Sequence, residues 1–494
     1  FCIIKPELNR TAARFLLCFR SQTAGMVRRR GAARAAPPLP SLLDPELPSK
    51  LEALGFPGKN AWRIWRYLYA NPRAADVSEM RDLPQALRAQ LCKEFCTSTA
   101  RVRTELRSAD GTVKLLVQLH DGLEIESVVI NQGGEGEFAK SNRRRMKASA
   151  TLCVSSQVGC RMGCKFCATG TLGLDGNLAA CEILEQLRLA RTVRDDVRHI
   201  VFMGMGEPLD NFDAVVSVVK LMTEHAQLLE LGARPVTVST VGPTPQAIRR
   251  LVELGLPGHA RLAVSLHAPT QSLREEIVPS ARGSPLKDLM TQIDEYYDAT
   301  KEVSRKARNE KVLIEYCLLS GVNDSEECAA ELAELLSSRL DSVHLNIIPY
   351  NSVSGSGFGA PSADTIQRFY EVVYYKGVKA HVRKQLGNDI AAACGQLARE
   401  SCNSLDIEDA QSAVVHGPAR SGEVSSGCRS KELDLPVRFS LANFQAMWLA
   451  GGMTCIALVA TAFALQVFAR PRRDSSAIWR AAMAGPWRMA IAQL

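Results

Sequence analysis

Cys153-Val-Ser-Ser-Gln-Val-Gly-Cys160-Arg-Met-Gly-Cys164-Lys-Phe166-Cys167 is the stretch on which the reading of this chain turns. Its last part reads Cys-x3-Cys-x-aromatic-Cys. Three thiolates on one short loop can hold three irons of a cubane 4Fe–4S cluster and leave the fourth iron open to a small molecule. A structural zinc site asks for four closed ligands, most often as two Cys-x2-Cys pairs, and only Cys164 and Cys167 form such a pair. Disulfides account for the loop poorly, because three clustered cysteines leave one over.

Outward from this loop, the chain has 494 residues, enough for two or three domains. Fifteen cysteines would be a disulfide framework in a short secreted protein, but in a chain of this size with a cluster motif they point to a reducing compartment. The net charge of +8 suits a polyanionic partner such as RNA without singling it out. Residues 1–48 read as a leader: eight Lys/Arg and one acid, Glu7, fall before Pro40, a composition that resembles an organelle transit peptide. Residues 398–443 are polar and poor in large apolar side chains, as in a linker. Residues 444–469 run uncharged for 26 positions, long enough to cross a bilayer, before Arg470-Pro-Arg-Arg473 opens a basic tail, 470–494. A membrane span there and a fused extension of the gene are rival readings.

Between these flanks the periodicity changes twice. Residues 49–100 are helical, with Trp62 and Trp65 on an amphipathic face where core packing outweighs base stacking. Residues 101–149 hold a hairpin, Thr112–Leu119 and Leu123–Ile130 about Asp121-Gly122, then a loop carrying Arg143-Arg144-Arg145. From residue 150 to 397 strands alternate with helices. The strands expected are Ala150–Val154, His199–Met203, Pro235–Ser239, Arg261–Ser265, Val312–Cys317 and Val343–Ile348. Such alternation predicts an α/β fold with a parallel sheet and outer helices, whose active residues gather at the carboxyl ends of the strands.

The cluster loop resembles that of radical S-adenosylmethionine (SAM) enzymes. With Cys153 and the tail Asp389-Ile-Ala-Ala-Ala-Cys394-Gly-Gln-Leu397, the stretch from about Leu54 to Leu397 resembles the RlmN-type adenine-C2 methyltransferases of large-subunit rRNA and tRNA. The resemblance implies an incomplete β6/α6 barrel, a partial TIM barrel, behind an N-terminal helical accessory domain that helps hold RNA. It implies a cluster on Cys160, Cys164 and Cys167. It implies SAM contacts from Gly206 and Glu207 after the second strand, Ser239 after the third, Ser265, Leu266 and His267 after the fourth, and Asn351 after the sixth. By the same resemblance Cys394 carries a methyl group, Cys153 resolves the adduct and Glu126 accepts the proton of the target adenine. Alternation puts Glu124 and Glu126 on one face, so only the motif separates them. One departure stands in the tail: the family usually has Arg where this chain has Leu386, which questions a phosphate or loop-ordering contact there.

The implied chemistry consumes two molecules of SAM per turnover. One methylates Cys394; the other, on the open iron, yields a radical that takes hydrogen from that methyl group so that carbon can add to the electron-poor ring. The implied partners are rRNA, tRNA and an electron donor such as flavodoxin or ferredoxin, for a monomer in the cytoplasm or, if the leader is real, in a mitochondrial or plastid matrix. Two rivals remain: a sister enzyme acting at carbon 8, and a membrane-tethered zinc and RNA-binding protein without catalysis.

Overall fold

The computed structural model describes residues 34–131, 149–233, 235–303 and 310–398. The basic triplet at 143–145, the first 33 residues of the leader, and the linker, apolar run and basic tail after 398 lie outside them. Among the described residues no helix is long and apolar enough to cross a membrane.

Three antiparallel strands come first: β1 Ala100–Arg107, β2 Val113–Leu119 and β3 Glu124–Asn131. The Asp121-Gly122 turn joins β2 to β3, with Gly122 in the left-handed region at φ +83°. β3 then pairs antiparallel with β4, Ala150–Cys153. The hairpin is therefore continuous with the core sheet. A small ribbon follows, β5 Gln157–Cys160 with β6 Gly173–Asn177. From β4 onward the large sheet is parallel: β7 Val197–Phe202, β8 Val236–Thr240, β9 Arg261–Ser265, β10 Val312–Leu318, β11 Val343–Pro349 and β12 Ala380–Val382. Its order is β1-β2-β3-β4-β7-β8-β9-β10-β11-β12, and no pairing among the described residues joins the two edges. The barrel is open, as the family resemblance implies. It has one more parallel strand than the six expected, the three-residue β12.

Each parallel strand returns through a helix packed outside, because strands parallel to their predecessor need a crossover, and helices cover the apolar face of the sheet. Ala180–Ala190, Phe212–Glu224, Ala247–Glu253, Leu286–Val303, Glu326–Leu336 and Ala363–Tyr375 supply this layer. One continuous core runs from Leu42 to Leu397. It includes the N-terminal helices Leu47–Ala53, Asn60–Ala70 and Gln85–Glu94, so the helical segment shares the core of the barrel. Buried polar bonds fix that seat. Tyr69 donates to the Leu184 carbonyl at 3.1 Å, and Glu185 accepts from the Thr99 N–H at 2.7 Å and hydroxyl at 2.9 Å. Trp65 is buried and donates its indole N–H to the Leu42 carbonyl at 2.9 Å. Trp62, expected in the core, is 45 % exposed beside His225 instead. The buried stripe of its helix is Ala61, Ile64, Trp65, Leu68 and Tyr69, and position 62 falls at the edge of that stripe.

Candidate active site

The carboxyl ends of the parallel strands carry the predicted residues. Cys153 ends β4. Gly204-Met205-Gly206-Glu207 follows β7, Ser239 lies near the end of β8, Ser265-Leu266-His267 closes β9, and Asn351 follows β11. Gly206 is demanded by sterics: its φ is +101°, and a Cβ would come within 2.6 Å of the Gln157 Cβ and 2.8 Å of its backbone nitrogen. That close approach lets Gln157 accept the Glu207 N–H at 2.9 Å, tying the loop after β7 to the start of β5.

The Glu207 carboxylate is buried. It accepts from the Thr240 hydroxyl at 2.6 Å and from the N–H groups of Leu209 at 2.9 Å and Val241 at 3.0 Å. Burial outweighs these donors and pushes the group up to about 7. A ligand ammonium would reverse that penalty by restoring a counter-charge. Ser239 and Ser265, at the ends of adjacent strands, have hydroxyls 3.4 Å apart. His267 sits at φ +61°, a costly conformation for a residue with a Cβ. Its Nδ1 accepts the Cys317 N–H at 3.0 Å, so the proton sits on Nε2. Burial, then the Arg274 charge, lowers the imidazole to about 3 and keeps it neutral. Its ring meets Phe166 of the cluster loop edge-on, with centroids 4.9 Å apart. Leu266 is fully buried and donates its N–H to the Glu315 carbonyl at 3.0 Å. Asn351 is buried too, and its Oδ1 finds no hydrogen bond within the protein. An orphaned buried acceptor is a site that a ligand donor can satisfy.

Cys160, Cys164 and Cys167 share one neighbourhood, with Cys164 under the electrostatic influence of both others. Burial raises all three thiols, Cys160 to about 12. A bound metal centre would supply the positive charge that removes this penalty. Among the described residues no three His, Cys, Asp or Glu side chains converge as a single metal ion requires. A cubane cluster takes one thiol at each of three iron corners, and three cysteines on one loop are the donor set it needs.

Cys394 comes back to this mouth from the far end of the chain. It is exposed, and close enough to Cys153, Cys167 and Cys317 to raise each of them electrostatically. Cys153 is buried and pushed up to about 12, chiefly by desolvation. Both thiols are free. The segment bearing Cys394 is stitched down on both sides. The Ala168 N–H donates to the Gly395 carbonyl at 2.8 Å, and the Thr169 hydroxyl to the Leu397 carbonyl at 2.6 Å. Asp110 accepts the Gly387 N–H at 2.7 Å. Leu386 lines a narrow pocket with Asn351, Arg383 and Cys394.

Glu126 and Glu124 part company here. Glu124 forms an ion pair with Arg103, whereas the Glu126 side chain is buried against Lys114 at 3.2 Å. The residues missed in the sequence are those that serve these groups. Lys114 is a lysine within the apolar strand Val113-Lys-Leu-Leu-Val, a signal that was there to read. Arg383 pairs with Glu315 at 3.5 Å, and its charge is favoured above all by Cys394, with Cys153 also contributing. Cys317 belongs to the same mouth, and Arg274, fully buried, braces the ends of β8 and β9 through the carbonyls of Val241 at 2.6 Å and Leu266 at 3.2 Å.

A three-thiol loop at the carboxyl mouth of an open parallel barrel defines the radical SAM class, and residues 154–335 match the Radical SAM superfamily. The chain is 42 % identical over 342 residues to a probable dual-specificity RNA methyltransferase RlmN of Rhodopirellula baltica, covering 69 % of this chain and 84 % of that one. It is 40 % identical over 356 residues to the dual-specificity RNA methyltransferase RlmN of Oleidesulfovibrio alaskensis, with 70 % and 91 % covered. A crystal structure of a radical SAM methyltransferase from Sphaerobacter thermophilus superposes with a TM-score of 0.63 at 38 % identity, over 73 % of this chain and all of that one. The chain belongs to the RlmN family of dual-specificity RNA methyltransferases, which sets aside the non-enzymatic zinc reading.

Proposed function

We propose that this chain methylates carbon 2 of adenine in large-subunit rRNA and in tRNA through a methyl group carried on Cys394. The observation that supports this most is the meeting of Cys153 and Cys394, more than two hundred residues apart in the chain, beside the three-thiol loop and Glu126. Two structural thiols would have no reason to share that mouth with a buried carboxylate and the half-buried Arg383 guanidinium.

Cys160, Cys164 and Cys167 would hold the cluster. Glu207, Ser239, Ser265, Leu266, His267, Asn351 and the backbone at Gly206 would hold SAM. When bound, and reduced by a donor of the flavodoxin or ferredoxin class, the cluster supplies the electron that splits SAM into a hydrogen-abstracting radical. Carbon 2 of adenine is electron-poor, so a carbon radical adds where a methyl cation would not. Cys394, exposed at the mouth, takes a methyl group and presents it to the ring. Glu126 takes the proton that the ring must lose. Cys153 then attacks the Cys394 sulfur and its proton completes the methyl group; the carbon–sulfur bond breaks, the odd electron of the adduct returns to the one-electron carrier, the product departs and a disulfide remains for reduction. Arg383 opposes the burial that disfavours the Cys153 thiolate.

The two cysteine variants separate these roles. Cys394→Ala should carry no protein-bound methyl and give no product. Cys153→Ala should accept the methyl, add it to adenine and fail to release it, so RNA accumulates covalently on the protein through boiling in detergent. A Cys153→Ala protein that turns over normally would overturn the reading. Mass spectrometry and NMR of the product nucleoside distinguish carbon 2 from carbon 8.

A further inference from the structure

Lys114 has no role in the mechanism above, yet it occupies a position that is buried among Val113, Leu115, Leu116 and Val117. A lysine almost never stays buried without a partner. Its partners are specific: Glu126 Oε1 at 3.2 Å, and the carbonyl of Ala391 at 3.2 Å. Glu126 in turn accepts the Ala398 N–H on Oε2 at 3.1 Å. One ion pair on β2 and β3 thus grips the backbone on either side of Cys394, three residues before it and four residues after it.

We propose that the Lys114–Glu126 pair is the anchor of the 391–398 segment, and that Lys114 is a positioning residue for the Cys394 thiol. Three donors on one ammonium let it bind the carboxylate and the carbonyl together, which neither Met nor Leu of similar volume can do. The pair lies at low dielectric, where charge-assisted bonds are strong and a lost partner is costly. The same carboxylate is the group proposed to take the adenine proton. Protonation would cancel its charge, weaken both grips and loosen the segment after chemistry, when the sulfur must be surrendered to Cys153. The link to turnover rests on the proposed function; the anchoring itself does not.

The test is hydrogen–deuterium exchange on the cluster-loaded, full-length enzyme. Lys114→Met should exchange its 387–398 amides about tenfold faster, the change expected when one charge-assisted bond leaves a local opening equilibrium. The exchange of β7 to β10 should stay as in the parent. Lys114→Arg should restore protection and also the ratio of methylated product to SAM cleaved, which a merely structural charge would leave unmoved. Should Lys114→Met fail to fold, the double variant Lys114→Met/Glu126→Met removes both buried charges together, and its segment should be equally unprotected. Unchanged protection at 387–398 in a folded variant would overturn the anchor. If protection falls as expected but no methyl is ever found on wild-type Cys394, the anchor stands and the proposed function fails.

Discussion

At the scale of single residues, Glu207 is the proposed SAM contact whose carboxyl burial lifts toward neutral pH. Its folded value of about 7 lies above the ordinary 4.5. A raised acid binds its proton more tightly in the fold, so its contribution to stability is full below about 4.5 and is lost as pH rises through about 7. Binding of a ligand ammonium runs the other way, because it needs the carboxylate. We expect SAM to bind about tenfold more tightly at pH 8 than at pH 6, as a single group of pKa about 7 dictates, and Glu207→Gln to bind weakly with no such dependence. Equilibrium binding across that range checks it. Glu207 was singled out in the sequence only because Gly-x-Gly-Glu, coming after the cluster loop, resembles the family segment implied to bind an ammonium. Two of its three internal donors were not, since Thr240 ends the next strand and Val241 follows it, and both meet Glu207 only in the fold.

Among elements, the loop after β7 is the most constrained. Gly206→Ala would set a methyl against Gln157 in a backbone region that disfavours any side chain, and should cost about 2–4 kcal/mol, as such strain and overpacking do. Urea denaturation would measure it, with the loss of SAM binding as a second readout. Apolar, periodic elements were readable: Arg261–Ser265 is a strand as expected, and Val113–Leu119 with Glu124–Asn131 forms the hairpin about Asp121-Gly122. The sequence reading passed over the short and the edge elements. β1 alternates charged and apolar residues in Arg101-Val-Arg-Thr-Glu-Leu-Arg107 and is half exposed, so no apolar run marks it. The β5–β6 ribbon is four and five residues long with glycine in both strands, and its pairing comes from contacts across the cluster loop.

For the molecule as a whole, every described member of the apolar core lies between Leu42 and Leu397, and the relatives align over stretches of about that length. A chain cut after Glu400 keeps Ala398 and should retain cluster binding and RNA methylation, to be read by iron content and by nucleoside analysis of the treated RNA. Inactivity of that folded truncation would show that a residue beyond it takes part. By itself the sequence determined the chemistry-bearing loop and the α/β alternation, because these depend on local spacing and on periodicity that neighbouring residues carry; the two distant cysteines stood out only through the family resemblance of the stretches around them. Only the tertiary structure decided which glutamate is buried, that Lys114 and Arg383 serve Glu126 and the two thiols, and that the hairpin extends the barrel sheet. Those facts depend on contacts between residues far apart in sequence, where burial changes the energy of a charge and a strand finds its partner only after the chain has closed upon itself.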